Sequence, residues 1–311
     1  MTENSSNWER GVIEKLALEA LREQRRARRW GIFFKALTFA YLTFLLILLL
    51  DLRRTDAFAG KHSALVDVAG VIDAKGGASA DNINSALLSA FKDKNTQGII
   101  LRVNSPGGSP VQAGIIYDEI RRLRDLYPNI PMYAVVEDVC ASGGYYIASA
   151  ADKIYVDKAS LIGSIGVLMD QFGFVDTLEK LGVERRVLSA GENKAFLDPF
   201  SPLEPRHVDH AKALLGEIHQ QFIEVVRRGR GKRLKESPEL FSGLIWTGTK
   251  SIELGLTDGL GSVDYVAREV IKAEQVVDYT QKENIAERFA KRFGAGVAQT
   301  LGLGTAAPRL R

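Results

Sequence analysis

The hydrophobic and polar positions divide the chain into one long apolar run near the start and a series of shorter segments after it. Residues 30–50 form the long run, in which Lys35 is the one ionised side chain. Short apolar runs predict buried strands at 64–72, 98–103, 132–136, 153–156, 165–169 and 184–188. Helical spacing of apolar residues predicts helices at 81–94, 110–126, 144–151, 175–181 and 204–228. This alternation of strands and helices predicts an α/β domain.

The long apolar run predicts a transmembrane anchor helix at residues 30–50. About twenty apolar residues span a bilayer as a helix, and Lys35 is close enough to the beginning to reach the headgroups. Five arginines lie immediately before the run, at positions 22, 25, 26, 28 and 29. The positive-inside rule therefore predicts a cytoplasmic N-terminus and an extracytoplasmic domain after residue 50. A cleaved secretory signal is the alternative, since Ala57-Phe58-Ala59 has the small residues of a cleavage site.

The same pattern divides the chain into five parts. Residues 1–29 form a basic leader with a helix over 8–29, which lies on the inner membrane surface or is solvated. The anchor at 30–50 is followed by a linker at 51–62 and a folded domain at 63–274. Residues 275–311 form a tail, for which we predict a basic amphipathic helix and a flexible end.

Composition excludes several kinds of function. The chain has 311 residues, 46% hydrophobic and 25% charged, as in an ordinary globular protein. A net charge of +3, with the basic residues concentrated near the start, predicts no nucleic-acid partner. The single cysteine, Cys140, excludes an intramolecular disulfide, and we expect a buried hydrophobic role for it. His207, His210 and His219 do not have the spacing of a zinc motif, so no metal site and no cofactor are expected.

Ser142 is the candidate nucleophile. It lies between small residues in the run 139–148, where an extended segment changes to a helix. The backbone N–H of Gly143 would then lie at a helix start and point toward an anion formed there. An isolated Ser-Gly-Gly is more often a simple turn, so the assignment depends on two further segments.

The first of these segments is a glycine turn at Gly107-Gly108, between an apolar run and a helical pattern beginning at Pro110. Such a turn presents a backbone N–H to a developing oxyanion, and one donor contributes about 3 kcal/mol of transition-state stabilisation. The second is Lys194, followed by the apolar Ala195-Phe196-Leu197 and Phe200. Desolvation lowers the pKa of an amine, and a neutral lysine accepts a serine proton.

Four motifs resemble, in order and spacing, the signal peptide peptidase A family of serine peptidases in its short, single-repeat bacterial form. They are residues 104–108, 141–146, 161–167 and 191–200, and the similarity extends from about residue 64 to residue 273. The resemblance implies a ClpP/crotonase-like ββα spiral fold, with Ser142 as nucleophile and Lys194 as general base. It also implies that the Ser164 hydroxyl orients the lysine and that the backbone N–H groups of Gly108 and Gly143 form the oxyanion hole.

The resemblance further implies the substrates, the assembly and the location. Substrates would be remnant signal peptides or other apolar membrane-associated peptides. The subunits would form a homo-oligomeric ring in which adjacent chains contribute the serine and the lysine of one site. The catalytic domain would lie on the extracytoplasmic side of the bacterial inner membrane.

Two other classes of function remain open from the residues alone. A crotonase-type acyl-CoA enzyme also uses a glycine oxyanion hole, and binding of acyl-CoA by the soluble domain would identify it. A catalytically silent membrane scaffold is the other class. Labelling of Ser142 by a fluorophosphonate would exclude it.

Overall fold

The computed structural model describes residues 3–51 and 60–281, which belong to two compact units that divide after Phe58. The first unit is one helix, α1 (Glu3–Asp51). Within it, residues 21–47 are long and apolar enough to cross a membrane, and all their side chains are exposed. This confirms the expected N-terminal apolar helix. The helix continues through residues 29 and 30 because no proline interrupts it, so leader and anchor are one element.

Several predictions lie outside the described residues. Residues 52–59, which include the possible cleavage site Ala57-Phe58-Ala59, are among them. So are residues 282–311, where the amphipathic helix of the tail was expected.

The second unit alternates strands and helices, which confirms the α/β class. Its first half consists of β1 (His62–Ala69), α2 (Ala80–Lys92), β2 (Thr96–Ser105), α3 (Pro110–Leu126), β3 (Met132–Ala141), α4 (Gly143–Ala148), β4 (Lys153–Val156) and β5 (Leu161–Gly163). Its second half consists of α5 (Val175–Lys180), α6 (Pro205–Arg230), a 3₁₀ turn (Gly231–Arg233), β6 (Ile245–Thr247), α7 (Gly248–Glu253), β7 (Gly259–Leu260), α8 (Val263–Tyr265), a π-helical turn (Val266–Ile271) and β8 (Val276–Asp278).

Within residues 60–281 the eight strands form one sheet. Its order is β6-β5-β3-β2-β1-β8, and β4 pairs with both β3 and β7. The β5–β6 pair is antiparallel and the other pairs are parallel. Alternate residues of the central strands point to opposite faces: Ala64, Val66 and Val68 join the larger core cluster with the residues of α2, α3, α4 and α6. Leu65 joins a smaller cluster on the other face.

Strand β3 bends and changes partners along its length. Val103 of β2 pairs with Val136, but Ser105 pairs with Cys140, so β3 contains two extra residues between these pairs. Residues 133–135 of β3 pair with β4, whereas residues 139–141 pair with β5. A β-bulge bends the strand that contains it and increases its twist. The bend therefore turns the sheet toward β5 and β6, as expected for the spiral fold that the resemblance implies.

Two predicted strands, at 165–169 and 184–188, are wrong. The strand in the first region is β5, which ends at Gly163 because Gly163 and Ser164 have positive φ angles of 115° and 51° and leave the extended conformation. The second region has no neighbouring strand to pair with, and its side chains are exposed. A strand is stabilised by burial of its side chains and by hydrogen bonds to a neighbouring strand. Residues 184–188 have neither, so they do not form a strand.

The sheet extends beyond residue 274, where we expected the domain to end. Residues 276–278 of β8 pair with residues 63–65 of β1. The Tyr279 hydroxyl then donates to Asp93 Oδ2 at 2.6 Å. Burial and this bond raise the pKa of Tyr279 to about 12, so the phenol keeps its proton at neutral pH.

The end of α6 is fixed to the domain by a buried ion pair. The Arg230 guanidinium donates to both carboxylate oxygens of Asp258, at 2.8 and 2.9 Å. Asp258 also accepts from the Ile154 N–H at 2.7 Å. Burial acts to raise the pKa of Asp258, but Arg230 and the Ile154 N–H outweigh it and hold the pKa below its ordinary value. Asp258 also pairs with Arg233 at 3.0 Å, so loss of Arg230 would leave the carboxylate with one partner. Loss of Asp258 would leave the buried Arg230 guanidinium without its ion-pair partner.

Candidate active site

Ser142 lies at the sharp turn between β3 and α4. Its backbone has φ 50° and ψ −123°, a conformation that costs a residue with a Cβ roughly 1–3 kcal/mol. The Ser142 N–H donates to the Gly163 carbonyl at 2.9 Å, and the Ser142 carbonyl accepts from the Tyr146 N–H at 2.9 Å. These bonds maintain the strained turn. A strand-to-helix turn of this kind exposes the side chain of its central residue, as in a nucleophile elbow.

The two glycines that follow β2 pack directly beside this turn. Gly107 and Gly108 have positive φ angles of 100° and 149°. A Cβ on Gly107 would lie 2.6 Å from the Ser142 Cβ, and a Cβ on Gly108 would lie 2.2 Å from the Ile72 carbonyl oxygen. Both positions therefore require glycine for space as well as for conformation.

The hydrogen bonds of this turn distinguish its two N–H groups. The Gly107 N–H donates to Ser105 Oγ at 3.1 Å, so it is already used. Gly108 forms a parallel bridge with Ile72, made by the Ile72 N–H to the Gly107 carbonyl at 2.9 Å and the Ser109 N–H to the Ile72 carbonyl at 2.8 Å. In such a bridge one residue bonds to the two neighbours of its partner, and the partner's own N–H points away from it. Here Ile72 bonds to the neighbours of Gly108. The Gly108 N–H therefore points away from Ile72.

The Gly108 and Gly143 N–H groups lie close together. A Cβ built on Gly143 would be 3.4 Å from the Gly108 nitrogen. Gly143 is the first residue of α4, and an N–H in that position has no partner within its helix. Two backbone donors are thus available next to Ser142, in an arrangement that fits an oxyanion.

Ser142, Gly108, Gly143 and Ser164 line one open cavity of about 520 Å³. Most of the rest of its wall is apolar, and includes Ala113, Tyr146, Val167, Leu168, Ile218 and Phe222. A wall of this kind favours an apolar side chain of a bound peptide.

Ser164 reaches the cavity through a second strained turn, after β5. Its φ is 51°, and its N–H donates to the Leu244 carbonyl at 2.8 Å. The next residue, Ile165, is held through its carbonyl, which lies 3.1 Å from His219 Nε2 of α6. The backbone of Ser164 and that of the next residue are therefore both held by hydrogen bonds.

Lys194 does not join this group within the chain. It lies in a turn where its N–H donates to the Gly191 carbonyl at 3.1 Å, and it does not line the cavity of Ser142. Its side chain is exposed. The expected desolvation by Ala195, Phe196, Leu197 and Phe200 is therefore wrong for a single chain, because those neighbours do not cover the lysine.

The segment between β5 and α6, which contains Lys194, exposes much apolar surface. In it Leu168 is 81% exposed, Phe172 is 74% exposed and Leu188 is fully exposed, at 100%. Single exposed apolar residues are common, but a concentration of large ones is typical of a surface that another molecule covers.

Cys140 does not compete with Ser142 as the nucleophile. It is fully buried at the end of β3, which confirms the expected hydrophobic role. Burial raises the pKa of its thiol, so the reactive thiolate does not form at neutral pH.

The sequence analysis missed the contribution of α6 to the cavity. Ile218 and Phe222 of this helix form part of the wall, and His219 holds Ile165. Ile218 and Phe222 are four residues apart, which places them on one face of a helix. Nothing in the sequence showed which element that face would contact.

Among the described residues no three His, Cys, Asp or Glu side chains lie together as a metal site would require.

Comparison with known proteins adds a partial match to a longer protein. The chain is 50% identical over 176 residues to a Brucella melitensis protein named Na(+)/H(+) antiporter NhaA. This similarity covers 56% of the chain but 24% of that protein. The chain thus corresponds to a small part of this relative.

Other matches cover more of their relatives. The chain is 30% identical over 225 residues to a putative signal peptide peptidase SppA of Enterococcus faecium, covering 71% of the chain and 65% of that protein. It is 33% identical over 189 residues to a putative protease of Synechocystis, covering 60% of the chain and 67% of that protein. Residues 124–277, which include Ser142, Ser164 and Lys194, match the peptidase family S49. The chain therefore belongs to peptidase family S49, as the resemblance to signal peptide peptidase A implied, and its mixed α/β sheet has the ClpP-like fold of that family.

Proposed function

We propose that the protein is a membrane-anchored serine endopeptidase with Ser142 as its nucleophile. The observation that carries this proposal is the Ser142 side chain on the cavity wall, with the N–H groups of Gly108 and Gly143 beside it. These are the parts that acyl transfer needs at the reacting carbonyl: an exposed hydroxyl and two preorganised donors.

The reaction follows from these parts. Ser142 Oγ attacks the peptide carbonyl carbon as its proton passes to the general base, and the oxyanion accepts from Gly108 and Gly143. Collapse of the tetrahedral adduct breaks the C–N bond, and the base returns the proton to the leaving amine. Water then attacks the acyl-enzyme with help from the same base and releases Ser142.

The general base is Lys194 of an adjacent subunit in a homo-oligomeric ring. Two observations support a shared site: Lys194 is exposed and does not line the cavity of its own Ser142, and the segment that contains it, between β5 and α6, exposes large apolar side chains. Contact with another subunit would cover that surface and desolvate the amine, which favours its neutral form. The Ser164 hydroxyl, on the same cavity wall as Ser142, would orient the amine.

The substrates are apolar peptides at a membrane, including remnant signal peptides. The apolar cavity wall supports this choice, as does the helix with a span at residues 21–47. With five arginines just before the apolar run at residues 30–50, the N-terminus is cytoplasmic and the peptidase domain lies outside the bacterial inner membrane. No cofactor and no nucleic-acid partner take part in this chemistry.

Fluorophosphonate labelling of the full-length protein in detergent or nanodiscs tests the proposal. We expect labelling of the wild type at Ser142, none of Ser142→Ala, and much slower labelling of Lys194→Ala. A wild type that assembles but neither reacts with the probe nor cleaves an apolar peptide would contradict the peptidase assignment and favour a membrane scaffold.

A complementation assay tests the shared site. Chains with Ser142→Ala keep the lysine, chains with Lys194→Ala keep the serine, and each is inactive alone. Co-expressed in one assembly, they should regain part of the wild-type activity. A mixture as inactive as its parents, beside an active wild type, would place both residues in one subunit.

A further inference from the structure

Helix α6 contacts the segment that carries Ser164 and the segment that carries Lys194. His219 Nε2 lies 3.1 Å from the Ile165 carbonyl oxygen, one residue after Ser164. His207 Nε2 lies 3.1 Å from Asn193 Oδ1, one residue before Lys194. The two histidines are twelve residues apart on one helix, which corresponds to a separation of about 18 Å along its axis.

The histidine of the contact at the lysine end is buried, whereas Asn193 is exposed. His207 is 8% exposed, and the Phe196 ring packs against it edge-on with 5.3 Å between ring centres. An amide oxygen only accepts, so His207 Nε2 donates the hydrogen bond to Asn193. The turn that carries Lys194 is therefore attached to the beginning of α6, although the lysine itself is exposed.

The contact at the serine end has the same chemistry. A carbonyl oxygen only accepts, so His219 Nε2 donates to Ile165. Ile218 and Phe222 on the same part of α6 line the cavity of Ser142. The C-terminal end of the helix is fixed to the domain by the Arg230–Asp258 pair. The serine end of α6 is thus part of the cavity wall.

We propose that His207 and His219 are positioning residues, and that α6 is a spacer that holds Lys194 of a chain apart from the Ser142 cavity of the same chain. This inference rests on the proposed function, with its shared site. His207 acts on the lysine that a chain gives to its neighbour, whereas His219 acts on the Ser164 segment that the chain keeps. Neither histidine touches the substrate.

The complementation assay tests this directly. Every functional site of the mixed assembly combines a lysine from a Ser142→Ala chain with a serine from a Lys194→Ala chain. His207→Ala should lower kcat more when the Ser142→Ala chain carries it. His219→Ala should lower kcat more when the Lys194→Ala chain carries it. The expected loss is roughly two- to tenfold for one hydrogen bond, with KM nearly unchanged.

Two kinds of variant serve as controls. Asp209→Ala and Gln220→Ala change exposed residues of the same helix beside the two histidines, and should have no effect in either chain. His207→Gln and His219→Gln keep a side-chain N–H donor and should recover much of the lost kcat. Thermal unfolding of each variant checks that the fold is kept.

The outcomes separate the inference from the proposed function. A loss of the same size whichever chain carries the substitution would overturn the positioning roles and indicate a general effect on stability. The positioning roles would also be overturned if His207→Ala lowered kcat more in the Lys194→Ala chain and His219→Ala lowered it more in the Ser142→Ala chain. An inactive mixture beside an active wild type would overturn the shared site and this inference together, and a wild type without activity or labelling would overturn the peptidase assignment itself.

Discussion

The two proposed halves of the active site differ in how the chain supports them. Ser142 lies at the end of a central strand, with its turn held by Gly163 and Tyr146 and the glycine turn packed against it. Lys194 lies in an exposed turn held by Gly191 and, through Asn193, by His207. The residues proposed for the serine half lie together within one chain, whereas Lys194 is exposed.

This difference follows from what each half needs. An oxyanion hole needs fixed backbone donors, which the buried carboxyl ends of parallel strands provide. A lysine base needs desolvation, which an exposed turn gains only when another surface covers it. With the proposed shared site, a single chain would fold with an incomplete site, and assembly would switch the site on.

The largest expected effect comes from changing the chemistry of the base. Lys194→Arg keeps the positive charge, but a guanidinium stays protonated at any working pH and cannot accept the Ser142 proton. We expect kcat to fall by roughly 10⁴-fold, as for loss of a catalytic residue, with assembly unchanged. Substantial peptide cleavage by this variant would contradict the general-base role.

The next effect concerns the glycine turn of the serine half. Gly108→Ala places a Cβ 2.2 Å from the Ile72 carbonyl oxygen, so the turn must move and its N–H with it. Loss of one oxyanion donor lowers kcat by roughly 10²- to 10³-fold. Gly114→Ala is the matched control, because a Cβ there meets no atom within 4 Å. Equal activity of the two variants in steady-state assays would argue against the Gly108 donor.

A third effect concerns the buried pair that holds α6, the helix between the two halves. The Asp258 pKa in the folded protein lies below its ordinary value of 3.8. The stability that the pair contributes is therefore complete above about pH 4. It is lost as the pH falls through the folded-state pKa. Asp258→Asn should lower the free energy of unfolding at pH 7 by about 3 kcal/mol.

The pH dependence provides the check. In denaturant unfolding of the wild type and Asp258→Asn, the difference in stability should be constant near neutral pH and shrink below pH 4. A difference that is independent of pH down to acid unfolding would show that the Asp258 charge is not responsible.

The smallest expected effect concerns the residue between the two halves. Ser164→Ala removes a hydroxyl that orients the amine but leaves the base and the oxyanion hole in place. We expect kcat to fall roughly tenfold, far less than for Lys194→Ala. Ser89→Ala, an exposed hydroxyl on α2, is the control. If Ser164→Ala were as inactive as Lys194→Ala, the hydroxyl would have a direct part in proton transfer.

Much of the serine half was predictable from local pattern. The bounds of α3 (Pro110–Leu126) and β4 (Lys153–Val156) agree with the prediction, since Ser109 and Pro110 give a clear helix start. The positions of Ser142 after a strand and of Gly107-Gly108 between strand and helix were also predicted. These features depend on residues close together in the chain, and their periodicity and turn residues identify them.

The lysine half was not predictable in the same way. The strand expected at 184–188 and the desolvation expected at Lys194 were both inferred from apolar neighbours in sequence. Whether apolar neighbours cover a side chain depends on the segments that pack against them, and in one chain the side chains of residues 184–188 stay exposed. The same reasoning explains why the role of α6 was missed.

By itself, the sequence determined the apolar N-terminal helix, the α/β class, the residues around Ser142 and the family, because these depend on composition, periodicity and short motifs. Only the tertiary structure decided that the Gly107 N–H is used by Ser105 while that of Gly108 points away from Ile72. Only the tertiary structure decided that Lys194 lies outside the cavity of its own Ser142. The direction of an N–H and the exposure of a side chain depend on contacts between segments far apart in the chain. Local sequence patterns do not predict those contacts.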